Sequence, residues 1–414
     1  MGVSMNSKKD ILKSIIVGDA LGSVFHGLSE GHIRANFSAD EIYPDSIKAL
    51  KKNESLWRKP ALYTSVSQLS VIAAVLSSSR RISQDSFFQA LRSSQASSML
   101  PWGCFRHPDR VFQVYIESQS SKLPLPEFQS LTVPVIAFAG ACFYPAKISF
   151  NDIIELVISF TKDVPTVCSA LILSNIAGKD CKSAVKALAE SSEYLLGCKD
   201  LYPRFFSAGI NPDKAENSLS LFSEIFANVL GKDYQNAEKY LSEKISKITS
   251  QNITRATVEN VYSSIAIAAV IADSNDSFAA NAAAHKGGFS TQISSLCGLF
   301  SALRGYPADG ELFDKLINKK RMVEIISHLD SGKIKSAFQF IEEFLSDEYP
   351  LTVKENEEFQ RKTKNKEASK ATESKKRQTE EERLSRHVVE SWTKLDRAKY
   401  KKEKKRNSDY DDYS

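Results

Sequence analysis

The chain has 414 residues, 42% hydrophobic and 10% aromatic, with a formal net charge of +5. That is ample for a sizeable core, and no apolar run approaches the ~20 residues needed to span a bilayer, so no membrane helix is expected. The charge excess sits at one end: residues 351–414 carry 19 Lys and Arg against 14 Asp and Glu, while the first 350 residues hold 36 of each sign.

The opening "MGVSMNSKKDILKS" lacks the apolar core of a secretory signal and the Arg-rich character of a transit peptide. Asn6 stands where a myristoylation signal takes Ser or Thr. Residues 17–27, "VGDALGSVFHG", form a glycine-rich turn in an apolar stretch around Asp19. Helical spacing then recurs: "SQLSVIAAVLSSS" puts Leu69, Ile72, Ala73 and Leu76 on one face. "FNDIIELVISFTK", "VCSALILSNIAG", "CKSAVKALAESSEYLLG", "SLSLFSEIFANVLG" and "VENVYSSIAIAAVIAD" repeat the pattern, several bounded by Gly, Ser, Asp or Asn. Strict two-residue alternation is scarce, so the chain is expected to be all-α, a compact multi-helix fold with its most apolar helices at the centre.

Two stretches break the pattern. Residues 101–130 contain Pro101, Pro108, Pro124 and Pro126 and read as an irregular connection or a surface lid. The expected domain plan is a helical body over 1–350, a charged disordered linker over 351–380, and an amphipathic segment with a charged tail over 381–414. In that last part Leu384, Val388, Trp392 and Leu395 fall at helical spacing, so residues 384–400 are a candidate docking segment for a protein partner. The run "KKEKKR" at 401–406 is a candidate RNA contact or nuclear address beside a solvated-tail reading. The six cysteines are scattered with no C-x-x-C pair, which points to free thiols in a reducing, cytoplasmic setting.

Individual polar residues invite chemistry. Asp19 is a candidate catalytic carboxylate, although an aspartate at a glycine turn more commonly bonds backbone N–H groups. His26 is a candidate acid or base with no carboxylate partner identifiable in the sequence. His285, beside Lys286, Gly287 and Gly288, is a candidate cleft residue or simply a helix terminus. The "RHPDR" stretch (Arg106, His107, Asp109, Arg110) reads equally as an anion-binding fork or a charged loop.

Four segments in order resemble the ADP-ribosylglycohydrolase family, which includes the dinitrogenase-reductase-activating glycohydrolases and crystallin J1. "GDALGSVFHG" is similar to its opening G-D-A-L-G turn, and "YTSVSQLSVIAAVLSSS" to its Y-T-D-D-T-Q helix start. "SLTVPVIAFAGACFY" stands in the place of its Gly- and Asn-bearing substrate segment. "AAHKGGFSTQISSLCGLFSALRGYP" has the layout of its G-G-D-T-D-T stretch, small-residue helix and G-x-P. The resemblance covers roughly residues 10–318 and implies a compact helical fold in which two Mg²⁺ ions and ADP-ribose share a cleft. Hard cations of that kind need carboxylate oxygens.

The departures fall where that chemistry is required. Thr64 is kept, but Ser65 and Val66 replace the first two aspartates and Ser67 the second threonine. Gly287 and Gly288 are kept, while Phe289 and Thr291 occupy the other aspartate positions and Gln292 the last threonine. His26 replaces a common glutamate, Lys162 a common histidine, and Ser130, Leu131, Thr132 and Val133 the Gly-Asn-Gly-like backbone. The expectation is a catalytically inactive relative without metal that acts as a binding or scaffolding module, with an ADP-ribose-like ligand as one candidate occupant. The alternatives are a divergent hydrolase using Asp19 and His26, and an RNA- or ribosome-associated protein held by its basic tail.

Overall fold

A computed structural model describes residues 8–50, 54–93, 102–117, 127–145, 148–247, 261–332, 334, 336–364, 380, 397–399 and 401–402. Two units divide the chain, Met1–Glu355 and Asn356–Ser414. All regular secondary structure among the described residues is helical, apart from one isolated bridge between Ser29 and Gly287. None of the described helices is long and apolar enough to cross a membrane.

In the first unit the sequence expectation of buried, apolar helices holds. These are α1 (Lys8–Ser23), α3 (Ser65–Ser78), α6 (Thr132–Phe143), α8 (Val164–Ile176), α13 (Ser263–Asp273) and α15 (Ser290–Leu303), each buried on nearly every side. A helix apolar all round must lie inside others. Here α1 packs on α15, which also meets α13 and the short α14 (Ala280–Ala284); α3 packs on α6 and α6 on α8. Around them lie α2 (Glu30–Asn36), α4 (Gln84–Ser93), α5 (Arg110–Glu117), α7 (Phe150–Ile158), α9 (Ala184–Gly197), α10 (Leu201–Ser207), α11 (Pro212–Val229), α12 (Tyr234–Lys247), α16 (Gly310–Asp314) and α17 (Lys319–Ser331). Their ends follow capping chemistry: Ser149 and Asp152 close a reciprocal box on α7, and Asp163 and Asn211 cap α8 and α11 ahead of a first-turn proline.

Two expectations need correction. The proline-marked stretch 101–130 contains α5, whose Val111, Phe112, Tyr115 and Ile116 are buried, so that helix is part of the core and not a lid. This apolar face spans six residues, too short for its period to stand out between prolines. The charged segment from 351 is also not structureless at its start. Helix α18 runs over 337–355 to the end of the first unit, with Thr352 and Glu355 buried, and the second unit begins helical over 356–364. The docking segment at Leu384, Val388, Trp392 and Leu395 and the run at 403–406 lie outside the described residues.

Candidate functional site

The stretch expected to be a glycine-rich turn is helical through Ser23, as the C-terminal half of α1, and turns only over 24–27; the helical glycines are there for contact. A Cβ on Gly18 would lie 2.3 Å from the Ser294 carbonyl oxygen, and one on Gly22 would lie 2.2 Å from that of Ser290. From the opposite helix, a Cβ on Gly298 would meet the Ser14 carbonyl oxygen at 2.3 Å. Small residues on both helices thus let the α1 and α15 backbones touch, and Ser290 Oγ donates to the Gly22 carbonyl at 2.7 Å. The same contact aims Asp19 at the first turn of α3.

Every donor around Asp19 is neutral. Its Oδ2 accepts from the Thr64 N–H at 2.9 Å, the Ser67 N–H at 2.9 Å and Ser67 Oγ at 2.6 Å; Oδ1 accepts from Thr64 Oγ1 at 2.8 Å. A carboxylate at a helix N-terminus is favourably placed. Burial still outweighs these bonds and raises its pKa to about 6.

On its other side, Ser65 is held by the loop that precedes α5. Its N–H donates to the Arg106 carbonyl at 2.7 Å and its hydroxyl to that of His107 at 3.4 Å. Arg106 is buried beneath, with Nε bonded to the Tyr63 carbonyl at 2.8 Å and its guanidinium 4.9 Å above the Tyr63 ring. It pairs with Glu348 of α18 at 2.5 Å. Glu348 also accepts from Tyr63 Oη at 2.6 Å, Gln68 Nε2 at 2.9 Å and Asn318 Nδ2 at 2.6 Å. One helical stretch later, Glu355 accepts from the Lys59 N–H at 2.9 Å and stands 3.1 Å from His107 Nε2. Burial opposes the Glu355 charge, but His107, a hydrogen bond from it, and Arg106 win and hold the carboxyl down to about 2.

The candidate site residues divide accordingly. Thr64 and Ser65 are committed to the Asp19 and Arg106 contacts, and Val66 is packed in the core. Thr291 Oγ1 meets His26 Nδ1 at 3.1 Å, and burial, then the charges of Arg58 and His107, push that imidazole down to about 3. His26 is thereby a neutral ring near neutral pH. Gln292 is buried with its Oε1 unpartnered, while Phe289 is 42% exposed beside His26, ring centroids 6.4 Å apart. His285 is spent on the carbonyls of Asn281 at 2.9 Å and Ser38 at 3.2 Å. Gly287 and Gly288, with φ of 72° and 58°, bring the loop back onto the turn after α1: Gly27 N–H reaches the Gly288 carbonyl at 2.8 Å and Gly288 N–H that of Leu28 at 2.7 Å. The anion-fork reading of "RHPDR" fails for Arg106, which is sealed against Glu348, and Asp109 accepts from Ser130 Oγ at 2.6 Å to brace the start of α6.

Where four aspartates would be needed for two Mg²⁺ ions stand two hydroxyls, an isopropyl group and a phenyl ring. Val66 and Phe289 cannot ligate, and the nearby Asp19 is fully buried among the donors of Thr64 and Ser67, so the donor set does not fit the metals. Among the described residues no group of three His, Cys, Asp or Glu gathers in metal-binding geometry. No local pattern signals the network of Tyr63, Arg106, Glu348 and Glu355, because Arg106 and Glu348 lie 242 positions apart. No protein-family model matches this chain, and no curated protein matches it.

Proposed function

We propose that the chain is a divergent relative of the ADP-ribosylglycohydrolases that retains a helical scaffold as a binding or scaffolding module and has given up hydrolysis. The observation that carries this reading is the state of Asp19. A general acid or base must reach substrate, and Asp19 is fully buried with each oxygen already hydrogen-bonded to Thr64 or Ser67. The residues standing for the four aspartates, Ser65, Val66, Phe289 and Thr291, offer no second carboxylate. His26, depressed to about 3 and bonded to Thr291, is a poor proton carrier near neutral pH. These features favour binding over the hydrolase alternative.

The test is turnover. Purified full-length chain with Mg²⁺ is offered ADP-ribosyl-arginine, ADP-ribosyl-serine and O-acetyl-ADP-ribose, and no release of ADP-ribose is expected from any of them. Magnesium-dependent hydrolysis of one of these would overturn the proposal. Calorimetric titration with ADP-ribose separates a reader of that ligand, which binds stoichiometrically without turnover, from a scaffold whose partner is another protein. The charged C-terminal part is the candidate partner arm. Removal after residue 364 keeps the buried Thr352 and Glu355, so loss of a salt-sensitive association on that truncation assigns it to the tail.

A further inference from the structure

An arginine is seldom buried without a carboxylate beside it, because taking a lone cation out of water is costly. Three deeply set arginines follow that rule: Arg106 pairs with Glu348 at 2.5 Å, Arg304 with Asp273 at 3.3 Å and Arg321 with Asp347 at 2.9 Å. Arg58 does not. It is only 8% exposed and forms no ion pair. Its hydrogen bonds run from Nη1 alone, to the carbonyls of Ser55 and Trp57 at 3.0 Å each. Nε and Nη2 make no bond within the protein, and neither is sealed from solvent. Glu355 acts on Arg58 through space, but its oxygens are committed to the Lys59 N–H at 2.9 Å and to His107 Nε2 at 3.1 Å. Burial outweighs that help and lowers the guanidinium to about 10, so it stays charged near neutral pH.

A second donor stands at the same rim. The chain around Leu56 packs on the turn after α1, where a Cβ on Gly27 would lie 2.5 Å from Leu56 Cδ1, and the Arg58 charge acts on the neighbouring His26 imidazole. His26 Nδ1 meets Thr291 Oγ1 at 3.1 Å, and its Nε2 makes no bond within the protein. In the tautomer in which Thr291 donates to Nδ1, the neutral ring carries its proton on Nε2 and presents it as a donor. Phe289 sets an exposed aromatic ring beside His26. The Nε–Nη2 edge of a guanidinium takes two oxygens side by side, and a donor from a separate element reaches a third. A carboxylate has only two oxygens to give, whereas a terminal phosphoryl group has three.

We infer that Arg58 and His26 form a binding site for a terminal phosphoryl group, with two of its oxygens on the Nε–Nη2 edge of Arg58 and the third on His26 Nε2. The Phe289 ring borders the site and offers an apolar face to the organic part of a phosphate monoester. This assignment stands on an unpaired buried charge and is independent of whether the chain hydrolyses ADP-ribosyl linkages. It also differs from recognition of ADP-ribose, in which both phosphates are bridged and neither ends in three free oxygens.

The experiment is calorimetric titration of the full chain, at constant ionic strength, with inorganic phosphate, phenyl phosphate, dimethyl phosphate and acetate. Phosphate and phenyl phosphate are expected to bind saturably at one site. Dimethyl phosphate and acetate, each with two oxygens to offer, bind at least roughly tenfold more weakly, the factor a charge-assisted hydrogen bond carries. Tighter binding of phenyl phosphate than of phosphate assigns the site to a monoester, and equal affinity assigns it to the free ion. Arg58→Lys keeps the charge but loses the two-nitrogen edge and lowers phosphate affinity roughly tenfold. His26→Leu lowers it several-fold, and circular dichroism confirms that both variants remain helical. Absence of saturable heat with both phosphate and phenyl phosphate, acetate bound as tightly as phosphate, or phosphate affinity unmoved by both substitutions would each overturn the assignment.

Discussion

Asp19 and Glu355 are both buried carboxylates, and their environments push them in opposite directions. Asp19 is surrounded by two N–H groups and two hydroxyls, and rises to about 6 from an ordinary 3.8. Glu355 has a single backbone donor but faces His107 and Arg106, and falls to about 2 from an ordinary 4.5. Neutral donors satisfy the geometry of a carboxylate without offsetting the loss of water, whereas a nearby cation offsets it directly. The α1–α3 seam is thus held by hydrogen bonds around a charge that the fold tolerates poorly. The α18 clamp is held by charges that need each other.

The sharpest way to break this contrast is to remove the cation of the clamp. Arg106→Met leaves Glu348 buried without its counter-charge and is expected to cost about 3–5 kcal/mol in urea unfolding. Arg106→Met with Glu348→Met should recover most of that loss. A single variant costing under about 1 kcal/mol would mean that packing, not pairing, holds α18.

The pH dependence of stability separates the two regions by sign. Asp19 binds its proton more tightly when folded, so its contribution is full below about pH 4 and is lost as pH rises through about 6. Glu355 behaves in reverse: its contribution is full above about pH 4.5 and is lost as pH falls through about 2. Each is worth up to about 3 kcal/mol. In urea midpoints measured from pH 2 to 8, Asp19→Asn should flatten the decline between pH 4 and 6, and Glu355→Gln the acid limb below 4.5. Identical pH profiles for the two variants would abolish the distinction.

Geometry comes next in size. Gly22→Val sets side-chain atoms against the Ser290 carbonyl and should cost about 1–3 kcal/mol by thermal or urea unfolding, dislodging the seat of Asp19 with it. Gly288→Ala meets open space and is penalised only by its φ of 58°, about 1 kcal/mol. Equal costs at the two glycines would show that backbone strain, not helix approach, governs the seam.

Much of the seam was legible in the sequence because its logic is local. Apolar spacing marked α3, α8, α9, α11 and α13, and the small residues of 17–27 marked a close approach, whose partner proved to be α15. Asp19 presented two readings, and its four bonds describe a brace. The clamp was not legible. Glu355 sits in a segment whose charge density reads as a solvated linker, and nothing in "RHPDR" tells that Arg106 is buried while Arg110 is exposed. Burial of a charge depends on a partner far along the chain, and composition windows register only neighbours. The short apolar face of α5 was lost among prolines for a related reason, since five or six residues give too few turns for a period to emerge.

The reach of α18 also sets an order of events in synthesis. Tyr63, Gln68 and Arg106 emerge early, yet the groups that complete their bonding, Asn318, Glu348 and Thr352, emerge about 240 to 290 residues later. Until then the terminal nitrogens of Arg106 and the Tyr63 hydroxyl lack the acceptors that α18 brings, while Arg106 Nε can already reach the Tyr63 carbonyl. The last helix of the first unit is therefore the latch on its earliest-made part, and a chain interrupted before residue 348 carries an open, charged seam where the finished protein has none.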